Sequence, residues 1–239
     1  MGRGYFEFKQ FTVHQDQCAM KVNTDGVILA ALVENSCTDT CLDIGTGTGL
    51  IALMMAQRFS QAKITAVEID GSAAKQASEN FANSPWSGRL ELTNSSFQEF
   101  KESEQNRYDL IVSNPPYFPD HNKSTDSQRN LALHNDALSF GDLVKGVAKL
   151  LKPEGAFWLI LPPRQMQDLE KIANFFDLFS TAEFLLSDRP ETKVLRSIRR
   201  FEAREAPCDH LPQAISIKNT DHSYSEFYAR VLKDFLLIF

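Results

Sequence analysis

Apolar positions in this chain fall into short blocks that alternate between two periods. "TCLDIGTG", 40 to 47 with further glycines beyond, opens with an apolar run and ends in glycine, which predicts a strand entering a tight turn. "LIALMMAQRF", 50 to 59, then carries an apolar face at helical spacing. "KITAVEID", 63 to 70, is rich in β-branched residues, and "SAAKQASENFANS" reads as a helix with Ser72 as N-cap. "RLELT", 89 to 93, alternates as a short strand, and "YDLIVSN", 108 to 114, is a buried one. A helix follows over 139 to 155, closed by Pro153 and Gly155. "AFWLILP" is the next strand, "RQMQDLEKIANFFDLF" the next helix, and "AEFLLS" and "VLRSIRRF" two further strands.

Strands that are apolar throughout and alternate with helices belong to a parallel sheet covered on both faces. The predicted fold is therefore α/β: a doubly wound, mostly parallel, seven-stranded Rossmann-like sheet. One domain is expected over residues 1–239, with 39–239 as its core. Residues 1–38 form an N-terminal extension, strand-like in "YFEFKQFTV" before one short helix.

Composition changes this picture little. The chain has 239 residues, 43% hydrophobic and 23% charged, the balance of an ordinary globular domain. No run approaches the roughly 18 apolar residues that cross a bilayer, and "MGRGYFEFKQF" lacks the pattern of an export signal. Cysteines 18, 37, 41 and 208 show no paired zinc spacing, so structural thiols, no metal and a reduced, cytoplasmic compartment are expected. The net charge of −6 argues against nonspecific coating of nucleic acid, yet "RPETKVLRSIRRFEAR", 189 to 204, holds six basic and two acidic residues. That run is either a solvated strand face balanced elsewhere or a footing for phosphates.

Chemistry enters at the first turn. "LDIGTGTG" places Gly45, Gly47 and Gly49 between a strand and the helix at 50, where backbone N–H groups can approach a ligand. A dinucleotide fold wants a third small residue at 50, where Leu50 stands, so NAD binding fits poorly. Asp43 either orients the loop or accepts from a ligand ammonium. Glu68, ending the next strand, is placed to accept both hydroxyls of a ribose. The pattern predicts an adenosine-containing ligand.

"VSNPPYF", 112 to 118, ends the fourth strand counted from that turn, so it belongs at the same crevice. Consecutive prolines donate no backbone hydrogen bonds and hold an extended turn, presenting Asn114 and Tyr117 at fixed spacing.

"DIGTGTG", "VEID" and "SNPPYF" together resemble class I S-adenosylmethionine-dependent methyltransferases that modify planar amino groups. Within that group, "FKQFTVHQDQCAMKVNTDGVILAAL", 8 to 32, is similar to the start of bacterial enzymes that methylate N6 of adenine-37 in a valine tRNA. The resemblance runs from Phe8 to "KDFLLIF" at the end. It implies that Gly45, Gly47 and Gly49 line the methionine part of the cofactor and that Glu68 takes the ribose. Ser96 and Phe97 fall where relatives contact the adenine. Thr24 and Asp25 either close over the cofactor or cap a helix at 27 to 34. Asn114 and Pro115 are the expected acceptors for the amine hydrogens, with Pro116 stiffening the turn and Tyr117 stacking on the base.

The same four residues serve glutamine-amide and cytosine targets. Glutamine methylation of a protein such as a release factor is the rival reading; relatives of that kind carry a helical domain before the glycine turn, and only 42 residues precede Asp43 here. Adenine-N6 or guanine-N2 methylation of another RNA is a second alternative. A nicotinamide-dependent reductase is the alternative from another class, disfavoured by Leu50. The expected partner is a tRNA anticodon stem-loop, with no membrane and no obligate protein partner. It is met by "HNKSTDSQRNLALH", through Lys123, Arg129 and His134, together with Arg196, Arg199 and Arg200.

Overall fold

The computed structural model describes residues 4–18, 20–116, 138–204 and 211–239. The chain opens with a hairpin, β1 (Tyr5–Glu7) against β2 (Thr12–His14), and a helix, α1 (Thr24–Leu32). Then follow β3 (Thr40–Ile44), α2 (Leu50–Arg58), β4 (Lys63–Glu68), α3 (Gly71–Ala82), β5 (Leu90–Asn94), α4 (Phe97–Ser103) and β6 (Tyr108–Ser113). After the undescribed segment come α5 (Phe140–Leu150), β7 (Leu151–Leu161), α6 (Pro163–Phe175), β8 (Phe179–Ser187), β9 (Val194–Glu202), β10 (Gln213–Ser216) and α7 (Glu226–Leu232). One eight-stranded sheet runs β10-β8-β9-β7-β6-β3-β4-β5, parallel except where β9 meets β7 and β8.

The predicted α/β, doubly wound architecture is the observed one. β7 shows why its strands read as unbroken apolar runs. Phe157, Leu159 and Leu161 face Leu143, Val144 and Met166 of α5 and α6, while Trp158 and Ile160 face the core built with α1, α2 and α7. Both faces are buried, so alternation disappears. Among the described residues, no helix is long and apolar enough to cross a membrane.

Three details depart from expectation. β10 adds an eighth strand, four residues long and paired parallel to β8, too short to stand out as a pattern. α3 begins one residue before Ser72, because Asp70 is its cap and accepts from the Ala73 N–H at 2.8 Å. The helix expected to reach 155 ends at Leu150; Pro153 and Gly155 lie instead in β7, where the pairing with β6 slips between Tyr108↔Leu151 and Leu110↔Ala156.

Residues 4–18 and 20–38 pack onto this frame. Phe8, Phe11 and Val13 are buried in the core with α1. Asn80 of α3, 1% exposed, receives the His14 N–H and donates to the carbonyls of His14 and Thr48, tying the hairpin to the glycine turn. Lys9 Nζ reaches the C-terminal Phe239 at 2.7 Å.

Candidate functional site

In the sheet order, β3 leads to β4 and β5 on one side and to β6 and β7 on the other. A crevice opens outside the carboxyl ends of strands where winding reverses, here between β3 and β6. Ser113 Oγ donates to the Ile44 carbonyl at 3.0 Å and pins those two ends together, so Gly45 and Asn114 emerge side by side.

The three glycines all have left-handed backbones, with φ of 73° at Gly45, 57° at Gly47 and 83° at Gly49. Their surroundings divide them. A Cβ on Gly45 or Gly47 would meet nothing within 4 Å, whereas one on Gly49 would lie 2.5 Å from Phe81 Cε1. Gly49 therefore serves the packing of α3 against the turn, and Gly45 and Gly47 leave room for a ligand.

Beneath the turn, Asp43 is fully buried. Its Oδ2 receives the Thr46 hydroxyl at 2.6 Å and the Ala52 N–H at 3.1 Å, so this oxygen ties the loop to the start of α2. Burial pushes the carboxyl up to about 7, against the pull of those two hydrogen bonds. Glu68 ends β4 and accepts the Gly47 N–H at 2.8 Å and the Asp70 N–H at 2.9 Å. Each oxygen takes one backbone donor, and an ionised carboxylate has capacity for more.

A cavity of about 290 Å³ joins these parts. Gly45, Gly47, Glu68 and Phe97 line it together with Asn114, Pro115 and Pro116. Asn114 is half-buried, Pro115 buried and Pro116 exposed. The glycine turn, the acidic strand end and the Asn-Pro-Pro segment thus share one site. Tyr117, Lys123, Arg129 and His134 lie outside the described residues.

Other expected residues stand elsewhere. Ser96 is the N-cap of α4 in a capping box with Glu99, and its neighbour Ser95 lines the cavity, with Oγ buried and without a protein hydrogen-bond partner. The Ser-x-x-Glu spacing signals that cap in sequence. Thr24 and Asp25 begin α1, capped by Asn23, and Asp25 pairs with Arg196 at 2.8 Å; neither Thr24 nor Asp25 lines the cavity. Cys18 and Met20 wall that side in their place, brought there by the hairpin. Ile69 and Asp70, the end of the "VEID" stretch, also line it, as does Gln98, which no sequence motif had marked.

The basic run at 189–204 is paired with acids both near and far in sequence. Arg199 is held between Glu170 and Glu183 with its side chain 10% exposed. Arg200 and Arg204 share Glu202, and Arg189 pairs with Asp188. Arg199 is an internal ion-pair residue, its charge already matched by Glu170 and Glu183.

Comparison with known proteins follows the same lines. The family model described as the methyltransferase small domain matches residues 17–185. The tRNA1(Val) (adenine(37)-N6)-methyltransferase of Bacteroides fragilis is 42% identical over 238 residues, covering 99% of this chain and 99% of its own. The enzyme of the same name from Parabacteroides distasonis is 44% identical, with 99% of each chain covered. Among solved structures, a predicted O-methyltransferase from Agrobacterium tumefaciens superposes with a TM-score of 0.71 at 18% identity, over 88% of this chain and 96% of that one. At that identity the likeness is one of fold.

Proposed function

The chain belongs to the tRNA1(Val) (adenine(37)-N6)-methyltransferase family within the methyltransferase small domain group, and on that footing we propose that it methylates N6 of adenine-37 in the anticodon loop of a valine tRNA. Family membership implies S-adenosylmethionine as the methyl donor. The observation that supports this reading most is the single cavity shared by Gly45 and Gly47, by Glu68 and by Asn114 with Pro115.

The residues present fit that donor. The Gly45–Gly47 turn is open where a Cβ would stand, Glu68 retains acceptor capacity at a strand end, and Ser95 Oγ is a buried hydroxyl without a partner beside Phe97. Glu68 would accept from the ribose, the glycine turn would hold the amino-acid portion, and Phe97 would lie against the adenine. When bound, the sulfonium supplies a methyl group already activated for transfer.

What the chain must add is a usable nucleophile. The lone pair of an exocyclic adenine amine is delocalised into the ring. The Asn114 side-chain oxygen and the Pro115 carbonyl, accepting the two amine hydrogens, would hold them out of the ring plane and free that lone pair. Neither proline of the segment donates a backbone hydrogen bond, and Pro116 stiffens the turn behind the carbonyl. Once alkylated the nitrogen is acidic and gives up one of its two hydrogens without a strong general base, so most of the acceleration comes from alignment and hydrogen bonding. Tyr117 would stack on the base, a contact worth about 1–3 kcal/mol. A base in an anticodon loop is already unpaired, so its extrusion costs little. Lys123, Arg129 and His134 would contact the stem-loop, with Arg196 and Arg200 at the margin.

Labelled S-adenosylmethionine, total tRNA lacking the modification and purified protein test this reading. Label recovered as N6-methyladenosine after digestion to nucleosides supports it. Label confined to protein, as methylglutamine, would replace it with the release-factor reading.

A further inference from the structure

Helix propensity alone gives no reason for one glycine of α5. Gly146 lies in the buried middle of that helix, where glycine is less favourable than alanine because it loses more backbone freedom. A Cβ on it would stand 2.4 Å from Phe97 Cε1 and 2.7 Å from Phe97 Cζ, distances at which atoms overlap. The Phe97 ring therefore occupies the space of the missing side chain and rests on bare helix backbone. Phe97 is the first residue of α4 and only 5% exposed, and it lines the cavity shared by Gly45, Gly47, Glu68 and Asn114. Gly146 supports that wall from behind without lining the cavity itself.

The ring is hemmed in away from the cavity. The capping box of Ser96 and Glu99 fixes the backbone from which it projects. Phe100 stacks beside it with ring centroids 6.5 Å apart, and Leu143, Val144 and Val147 of α5 belong to the same buried cluster. The two helices are also tied together around the notch. Lys101 Nζ, on a side chain 7% exposed, pairs with Asp142 at 3.6 Å, and Lys149 Nζ donates to the Lys101 carbonyl. Packed interiors hold few voids, so a methyl group added at residue 146 must move a neighbour, and the ring has the cavity to move into. Leu138, just ahead of the Ser139 cap of α5, lines the same cavity, so this helix bounds it at two points.

We propose that Gly146 is a positioning residue for the methyl donor: its bare backbone seats the Phe97 ring and keeps the cavity wide enough for the adenosine end of S-adenosylmethionine. This role rests on the reading of the cavity as the donor site. A space of about 290 Å³ leaves little slack for a displaced aromatic ring. Gly146 acts only through that ring.

The test compares the full chain with Gly146→Ala, Phe97→Leu and the double variant by calorimetric titration with S-adenosylhomocysteine, which carries the same adenosine and does not react. Gly146→Ala is expected to weaken binding by roughly tenfold, the scale of forcing one methyl into a packed site. In the Phe97→Leu background the same substitution is expected to change affinity by less than about twofold, because the ring it displaces is gone. In turnover the loss from Gly146→Ala should appear in KM for S-adenosylmethionine and not in kcat. Unchanged affinity in Gly146→Ala, an equal loss in both backgrounds, or a fall in kcat with affinity intact would each overturn the seat. Should Gly146→Ala fail to fold, the double variant decides: folding with the affinity of Phe97→Leu supports the proposal, and failure of the double variant to fold overturns it. A wild-type chain with no affinity for S-adenosylhomocysteine would sink the donor reading itself, and the seat with it; wild-type binding that Gly146→Ala leaves untouched removes the seat alone.

Discussion

Glu68 and Asp43 stand one strand apart, and their surroundings give them opposite tasks. Glu68 has both oxygens anchored by backbone donors at a strand end, so in the proposed role it would receive the ribose without moving. Replacing it with Gln keeps the shape and removes the charge. Hydrogen bonds to charged groups contribute about 1.5–3 kcal/mol, so calorimetry should show S-adenosylmethionine binding weakened by roughly ten- to a hundredfold. An affinity within twofold of wild type would remove Glu68 from the site. Asp43 is buried under the turn with its carboxyl pushed up to about 7 by desolvation. A carboxyl raised in this way binds its proton more tightly in the folded chain than in the unfolded one. It therefore costs stability progressively as pH rises from its ordinary 3.8 to about 7. Asp43→Asn removes that cost, and its stability relative to wild type is expected to improve over this interval and then level off. Denaturant midpoints across pH 4 to 8 measure the difference; a constant offset would show that Asp43 does not titrate there.

At the scale of elements, the glycine turn has two functions that substitution separates. Gly49→Ala forces a Cβ into the Phe81 ring in addition to the left-handed strain of about 1–2 kcal/mol, so urea denaturation should show the larger loss of stability. Gly47→Ala carries the strain alone and fills the cavity wall, so its larger effect should fall on cofactor affinity. Equal effects of both substitutions on both measurements would contradict the division. The central strands were legible in sequence because burial on two faces leaves unbroken apolar runs, as in "AFWLIL". The turn, Glu68 and the Asn-Pro-Pro segment were legible because strand order places consecutive carboxyl ends at one edge. β10 was missed because it is four residues long, and Ser95 because the register of a cavity wall depends on where the neighbouring helix is capped. Arg199 looked available in a basic run because Glu170 and Glu183, which neutralise it, come from different elements.

Over the whole molecule, Cys18 and Met20, just after the N-terminal hairpin, wall the cavity, and the hairpin that precedes them is held in place from afar. Its approach depends on Asn80 and on core contacts of Phe8, Phe11 and Val13, long-range relations with no local signature, and for that reason Cys18 and Met20 went unmarked. Asn80→Ala leaves the buried carbonyl of Thr48 and the partly buried backbone groups of His14 unpaired, at a cost of about 1–3 kcal/mol. The hairpin should then yield to limited proteolysis ahead of the sheet, with cofactor affinity reduced through Cys18 and Met20 beyond it; simultaneous cleavage of both would mean that the hairpin does not open separately from the sheet. The account as a whole turns on Asn114 acting on the amine and not on the donor. Single-turnover methylation of unmodified tRNA by Asn114→Ala, alongside its calorimetric affinity for S-adenosylmethionine, measures this directly. A rate loss on the order of a hundred- to a thousandfold with affinity within twofold of wild type is the predicted result, the size seen when one transition-state hydrogen bond is removed. Weakened donor binding with the rate constant preserved would contradict it.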